Sequence, residues 1–189
     1  MIDQLITLPN KHLRQRSQKV GIVNAKVLKI IDEMKQTTID WENSREHEVG
    51  VALAAIQIDV KLRIIIIRED TENKDNQNFI TFINPEITKF EGELEYDFEG
   101  CLSIKDVYGK VPRYSKVRIK AIDINGKTIR VKAEGFLARI FQHEIDHTNG
   151  KLFIDHIKDN KEAFYKLESN GKLVSLNYES EIRNSSILW

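Results

Sequence analysis

His143-Glu144-Ile145-Asp146-His147 is the segment of this chain with the clearest chemical content. Four residues along an α-helix is about one turn, so the two imidazoles leave one face within reach of a single metal ion. Glu144, one place after the first histidine, lies beside that ion, where its carboxylate can handle the proton of a water. The competing reading is a pair of solvated or core-satisfied histidines; both sit on an apolar face, where an unpaired imidazole is costly. Two imidazoles do not hold a catalytic metal alone, because three protein ligands and one open position are usual. The residues leave three sources for the third ligand. A long signature with a further histidine would place it at 153, where this chain has Phe153. A downstream carboxylate would be Glu168. Cys101 offers a soft sulfur ligand suited to zinc or iron(II), and the preceding Gly100 lets backbone pass close to a ligand. An ordinary buried thiol is the alternative for Cys101.

A second stretch, Gly50-Val51-Ala52-Leu53-Ala54-Ala55-Ile56-Gln57, joins small residues to a carboxamide at the end of an apolar run. Small residues permit close packing or close backbone approach. A carboxamide in such a place needs a partner, and a carbonyl oxygen gathering charge in an active site would be one. A tight helix against a sheet, with Gln57 bonded to backbone, is the structural alternative.

These residues need a frame. Glu134 to Thr148 (EGFLARIFQHEIDHT) sets Phe136, Ile140, His143 and His147 at spacings of four, three and four, which is one helical face. Gly150 stands where a glycine after a helix end belongs. Just upstream, Val117–Ile124 and Thr128–Ala133 alternate apolar and polar residues about Asn125-Gly126, the strongest short-range hairpin signal. Leu62–Arg68 (LRIIIIR) predicts a buried strand, and Asp70–Asn78 an exposed loop. Phe79–Ile83 predicts a second strand that stops before Pro85, which cannot donate to a ladder. Asn24–Thr38, with Val27, Ile30, Ile31 and Met34 on one side, predicts an amphipathic helix capped by Asn24. Asn160–Glu168 predicts another helix with Ala163, Phe164 and Leu167 inward. Gly171–Trp189 has no clear period and receives no assignment. Strands followed by a helix with inward polar residues predict α+β rather than alternating β/α units.

Composition excludes several classes. Lys plus Arg is 29 and Asp plus Glu is 29, and a zero balance argues against a simple electrostatic nucleic-acid binder. One cysteine rules out an internal disulfide framework and fits a reducing compartment. The apolar runs Val51–Ile56 and Ile64–Ile67 fall far short of a membrane span. Met1-Ile2-Asp3-Gln4 has no basic region leading into an apolar one, so no secretory signal is expected and a cytoplasmic protein is. With 189 residues and no boundary, one domain over 1–189 is expected.

Together the segments resemble the peptide deformylases, whose signatures GxGxAAxQ, EGCLS and QHExDH occur in that order. Here they read Gly50 to Gln57, Glu99-Gly100-Cys101-Leu102-Ser103, and Gln142 to His147. Leu8-Pro9, Leu13-Arg14, Asn84-Pro85, Val111-Pro112-Arg113 and Gly150–Asp155 fall in the expected places, so the resemblance runs from about Leu8 to Asp155. It implies mixed strands wrapped around a central metal-binding helix. It implies Cys101, His143 and His147 as ligands of one divalent metal, iron(II) natively, with zinc, nickel or cobalt able to take its place. It implies Glu144 as the group that moves the water proton, Gln57 and the Leu102 backbone N–H as oxyanion donors, and formate as a product. Gly50, Val51, Ala52 and Gly100 would meet the peptide as an added strand. Glu99, Arg113 and Asp146 would support the ligands. The implied substrates are N-formyl-methionyl peptides and nascent chains near the ribosome, met by a monomer with no membrane or direct nucleic-acid partner. Two readings stand beside this one: an HExxH metallopeptidase with another third ligand, and a weakly active relative that binds chain N-termini. Three positions depart from the family pattern: Ala52 for the second glycine, Lys105 for a common proline, and Thr148 for a usual leucine. A Cβ at Ala52 would press on substrate backbone, or be strained if the position needs positive φ.

Overall fold

The computed structural model describes residues 5–45, 48–73, 75–185 and 187. The reading of Met1–Gln4, Lys74 of the expected 70–78 loop, and Ser186, Leu188 and Trp189 of the unassigned tail lie outside them. β1 (Ala52–Ala54), β2 (Ile64–Arg68), β3 (Phe79–Cys101), β4 (Ile104–Ile122), β5 (Thr128–Glu134), β6 (Phe164–Leu167) and β7 (Leu173–Ser175) form one seven-stranded sheet. α1 (Ala25–Asn43) and α2 (Gly135–Thr148) pack against it. Every strand pairing in the sheet is antiparallel, in the order β1-β2-β3-β4-β6-β7, with β5 on the same edge of β4 as β6. The fold is therefore α+β, as expected, with antiparallel ladders.

The isoleucine run explains where the core lies. Ile65 and Ile67 turn toward α2 and join Phe141, Ile145 and Ala138, while Ile64 and Ile66 turn toward α1 and join Ile31 and Met34. A strand covered on both faces needs apolar residues at every position, not at alternate ones. Each such side chain contributes about 1.5–3 kcal/mol on burial, so β2 is the most heavily anchored strand per residue. β1 divides in the same way, with Ala52 and Ala54 toward α2 and Leu53 toward α1. Apolar residues of α2 share their core cluster with residues of all of β1 to β5, so the helix sits centrally against the sheet.

α1 starts where predicted, its Asn24 side chain accepting from Val27 N–H at 3.1 Å, but runs past Thr38 to Asn43. Thr37 and Thr38 lie inside it, buried, with their hydroxyls bonded back to the Glu33 and Met34 carbonyls. The β4–β5 hairpin forms, with its turn spread over 123–127: Asp123 Oδ1 accepts from Asn125 and Lys127 N–H, and Gly126 takes φ +79°.

Two expectations fail. β3 does not stop before Pro85; it continues to Cys101. A register shift between Ile83 and Glu86 absorbs the proline, and Asn84 there takes φ +52°. Bulges are where a strand tolerates a residue without N–H. The segment 160–168 is not a helix: Phe164–Leu167 is a strand, paired with Tyr108 and Gly109 on one side and with β7 on the other. Its inward residues Ala163 and Phe164 belong to a cluster under a 3₁₀ turn at Phe153–His156. The unassigned region supplies β7 and a single π turn, Tyr178–Ile182, whose Ile182 is buried in that cluster. Among the described residues no helix is long and apolar enough to cross a membrane.

Candidate active site

α2 and the end of β3 bring the chemical residues together. His143 and His147 are one turn apart on α2, with their Nε2 atoms 3.2 Å from each other. Cys101 ends β3, where the hairpin to β4 turns its Sγ to 3.3 Å from His147 Nε2. Ligand atoms of Cys101, His143 and His147 all lie within 4.8 Å of one another. Phe153 stacks beside His143, with ring centroids 6.2 Å apart, and is no ligand. Glu168 lies exposed at the end of β6, accepting from Asn170, and is not part of the cluster.

The donor set fits a metal ion. His143 Nδ1 lies 2.9 Å from Glu99 Oε2, which assigns the ring proton to Nδ1 and leaves the Nε2 lone pair aimed at a second imidazole and a sulfur. Burial disfavours charge on His143, but bonds to Cys101 and Glu99 outweigh it and hold this imidazole well above the usual histidine range. Burial, then the neighbouring His143, holds His147 well below it. A thiol and two imidazoles whose ligand atoms lie within 4.8 Å of one another suit one cation shared among them.

Around the donors is a layer of ion pairs. Burial alone would raise Glu99, yet its bond to His143 and the charge of Arg113 keep it below the ordinary carboxylate range. Arg113 grips Glu99 through Nε and Nη2 at 2.9 and 3.0 Å and reaches Asp146 Oδ2 at 2.5 Å. Asp146 also meets His156 Nε2 at 2.7 Å. Arg113 thus pairs with Asp146 as well as with Glu99. Arg139, His156 and Ser103 belong to this site and were not singled out from the sequence. His156 lies just beyond the Gly150–Asp155 stretch, and Arg139 was visible as a cation on an apolar helix face.

A cavity of about 270 Å³ opens beside the cluster. Glu144 lines it; the residue is 4 % exposed, and its Oε2 has no hydrogen-bond partner in the protein. Burial pushes its carboxyl up to about 7. Gln57 lines the same cavity from a 3₁₀ turn (Ala55–Ile58). Its Oε1 accepts from Ala54 N–H at 2.9 Å, and its Nε2 points to Ser103 Oγ at 3.1 Å and Cys101 Sγ at 3.6 Å. Leu102, Val51, Ala52 and Gly100 complete the near wall, while Gly50 sits behind it, its N–H donating to Glu42 at 2.8 Å. β1 pairs only with β2, and β3 beyond Phe90 only with β4, so each presents an open edge among the described residues.

None of the three departures from the family pattern lies at a positive φ. Ala52 is not among the residues with positive φ, and it belongs to the α2-facing core cluster. Lys105 is exposed on the solvent side. Thr148 is fully buried and bonds its hydroxyl to the Ile145 carbonyl at 2.7 Å.

Two imidazoles and a thiol beside a buried carboxylate, in a cleft of an α+β fold, define the class of metal-dependent hydrolases. Comparison with known proteins is specific within that class. The family model described as polypeptide deformylase matches residues 2–163. A peptide deformylase of Agrobacterium fabrum (strain C58) is 42% identical over 156 residues, which are 82% of this chain and 87% of that one. One from Halothermothrix orenii is 45% identical over 145 residues, 77% of this chain and 86% of that one. The crystal structure of a peptide deformylase from Synechococcus elongatus in complex with actinonin superposes with a TM-score of 0.74 at 35% identity, covering 82% of this chain and 80% of that one. The chain belongs to the peptide deformylase family, metal-dependent enzymes that remove the N-formyl group from nascent polypeptides.

Proposed function

We propose that Cys101, His143 and His147 hold one divalent ion, natively iron(II), and that the residues around it divide the deformylation chemistry as follows. The bound ion would supply Lewis acidity to a water and to the formyl carbonyl. Glu144 takes the proton of the attacking water as its oxygen bonds to the formyl carbon. When the C–N bond breaks, Glu144 returns a proton to the departing amine, leaving formate and a free N-terminal methionine. The Gln57 carboxamide N–H and the Leu102 backbone N–H receive the charge that gathers on the formyl oxygen. Glu99, Arg113 and Asp146 fix the imidazoles from behind.

Substrate peptide adds as a strand in the gap between the open edges of β1 and β3, bonding main chain at Val51 and Gly100, with Gly50 and Ala52 shaping the near side. Main-chain bonds do not read side chains, which suits an enzyme that meets many sequences. We read the whole chain, 1–189, as one catalytic unit acting as a monomer in the cytoplasm on chains leaving the ribosome.

The observation that carries this reading is the buried Glu144, with a carboxylate oxygen that has no partner, lining the same cavity as Cys101 and His143. Formate release from formyl-Met-Ala-Ser, measured anaerobically on iron-loaded protein, is expected for the wild type and lost in Glu144→Ala. Equal rates in both would refute the assignment. Metal analysis separates the metallopeptidase reading: Cys101→Ser is expected to lose the ion and Glu168→Gln to keep it, and the reverse would overturn the proposed ligand set.

A further inference from the structure

Arg139 is a buried cation on α2, and the chemistry above does not use it. It lies one turn before His143 on α2 and lines the cavity together with Phe136 and Ile140. Its Nη1 donates to Glu99 Oε1 and to the Val111 carbonyl, both at 2.8 Å. Its Nη2 donates to the Glu95 carbonyl at 2.8 Å.

The consequence is for Glu99. Oε1 accepts from Arg113 Nε at 2.9 Å and from Arg139, and Oε2 accepts from Arg113 Nη2 at 3.0 Å and meets His143 Nδ1 at 2.9 Å. A carboxylate has about four acceptor sites, so all of them are committed. Arg113 is a fork aligned with the carboxylate, and its other nitrogen is drawn toward Asp146. That fork ties Glu99 to β4 and, through Asp146, to α2. Arg139 holds Oε1 from the helix turn before His143 and is itself pinned to carbonyls of β3 and β4, so it fixes the carboxylate from a second direction.

We propose that Arg139 is a positioning residue for the metal centre: it anchors Glu99 Oε1 to β3 and β4, keeps Oε2 on His143 Nδ1, and so aims His143 Nε2 at the site shared with Cys101 and His147. This rests on the reading that those three residues bind the ion. A clamp that only ties α2 to the sheet would need the carbonyl bonds and not the bond to Glu99.

Cobalt(II) loaded into the full chain provides the test, with Arg139→Gln and Arg139→Lys beside the wild type. The readouts are cobalt affinity by chelator competition, the visible d–d absorption, and thermal melting. Arg139→Gln is expected to bind cobalt roughly 10–100-fold more weakly, with shifted d–d bands. Arg139→Lys is expected to fall between, since one ammonium keeps the charge but spans fewer of the acceptors. Lower melting temperatures with unchanged affinity and bands would overturn the proposal and leave a structural clamp. Should Arg139→Gln fail to fold, wild-type affinity and bands in Arg139→Lys alone overturn it. Wild-type protein that binds cobalt without a thiolate-to-cobalt charge-transfer band would overturn the ligand reading itself, a failure visible before any variant is compared.

Discussion

Gln57 has one carboxamide and two tasks. Its oxygen is spent on Ala54 N–H, which holds the turn after β1, while its nitrogen is left pointing toward Cys101 and Ser103 beside the cavity. The fixed oxygen determines the direction of the nitrogen, so the donor is in place before substrate arrives. Gln57→Leu is expected to lower kcat by about 10²–10³-fold while metal content stays at the wild-type level. The lost bond to Ala54 would cost about 1 kcal/mol of stability, readable in urea unfolding. Equal kcat in the variant would remove Gln57 from the chemistry. This residue also marks the limit of the sequence at this scale. The helical spacing of His143 and His147 was legible because α-helical geometry is local. The meeting of Cys101 with them depends on a turn between two strands that are each longer than any local period reveals, and only the order of motifs within a family supplied it.

At the scale of elements, the turn after α2 carries a requirement that is easy to test. Gly150 has φ +75°, and a Cβ there would run into the backbone carbonyl of Arg14. Both the conformation and the space exclude a side chain, so Gly150→Ala is expected to lose about 1–3 kcal/mol, measured by denaturation, with disturbance passed to the His147 end of α2. The long β3–β4 ribbon offers a pH test. Hydrogen bonds from Arg118, then Lys89, hold the half-buried Glu91 carboxyl down to about 2. A depressed folded value means that its contribution is complete above the ordinary carboxylate value of about 4.3 and is lost as pH falls through about 2. An NMR titration of Glu91 should therefore show a midpoint near 2, and Arg118→Ala should return it toward the ordinary range. β2 and the β4–β5 hairpin were readable because their patterns are local: an isoleucine run bounded by charge, and an alternation broken by Asn-Gly. β6 was not readable, because Ala163, Phe164 and Leu167 fit a helical face as well as a strand. The pairing that decides between them lies with Tyr108 and Gly109, far away in the chain. Pro85 misled for a similar reason, since the bulge that absorbs it is a property of the pair of strands.

Across the whole molecule, one buried ion pair joins α1 and β2 to the segment that leads into the cavity wall. Glu42 near the end of α1 is 3 % exposed and accepts from Arg68 Nη2 at 2.7 Å and from Gly50 N–H at 2.8 Å. Arg68, at the end of β2, also donates to the Gly50 carbonyl at 3.2 Å. The segment leading into β1 is thus held between a helix and a strand. Removing one member of a buried pair leaves the other charge short of compensation, so Glu42→Ala is expected to cost about 3–5 kcal/mol in equilibrium unfolding. Glu42→Gln, which keeps an acceptor for Gly50, is expected to cost less. Loss of the pair should also raise KM for formylated peptides ahead of any change in kcat, because Val51 follows directly on the freed segment.

The open edges of β1 and β3 have a bearing on generality. On the proposed binding mode, peptide groups along those edges offer every incoming polypeptide the same handshake whatever message encoded it, fidelity falls to the single formylated residue at the tip, and one catalyst serves the output of a whole genome.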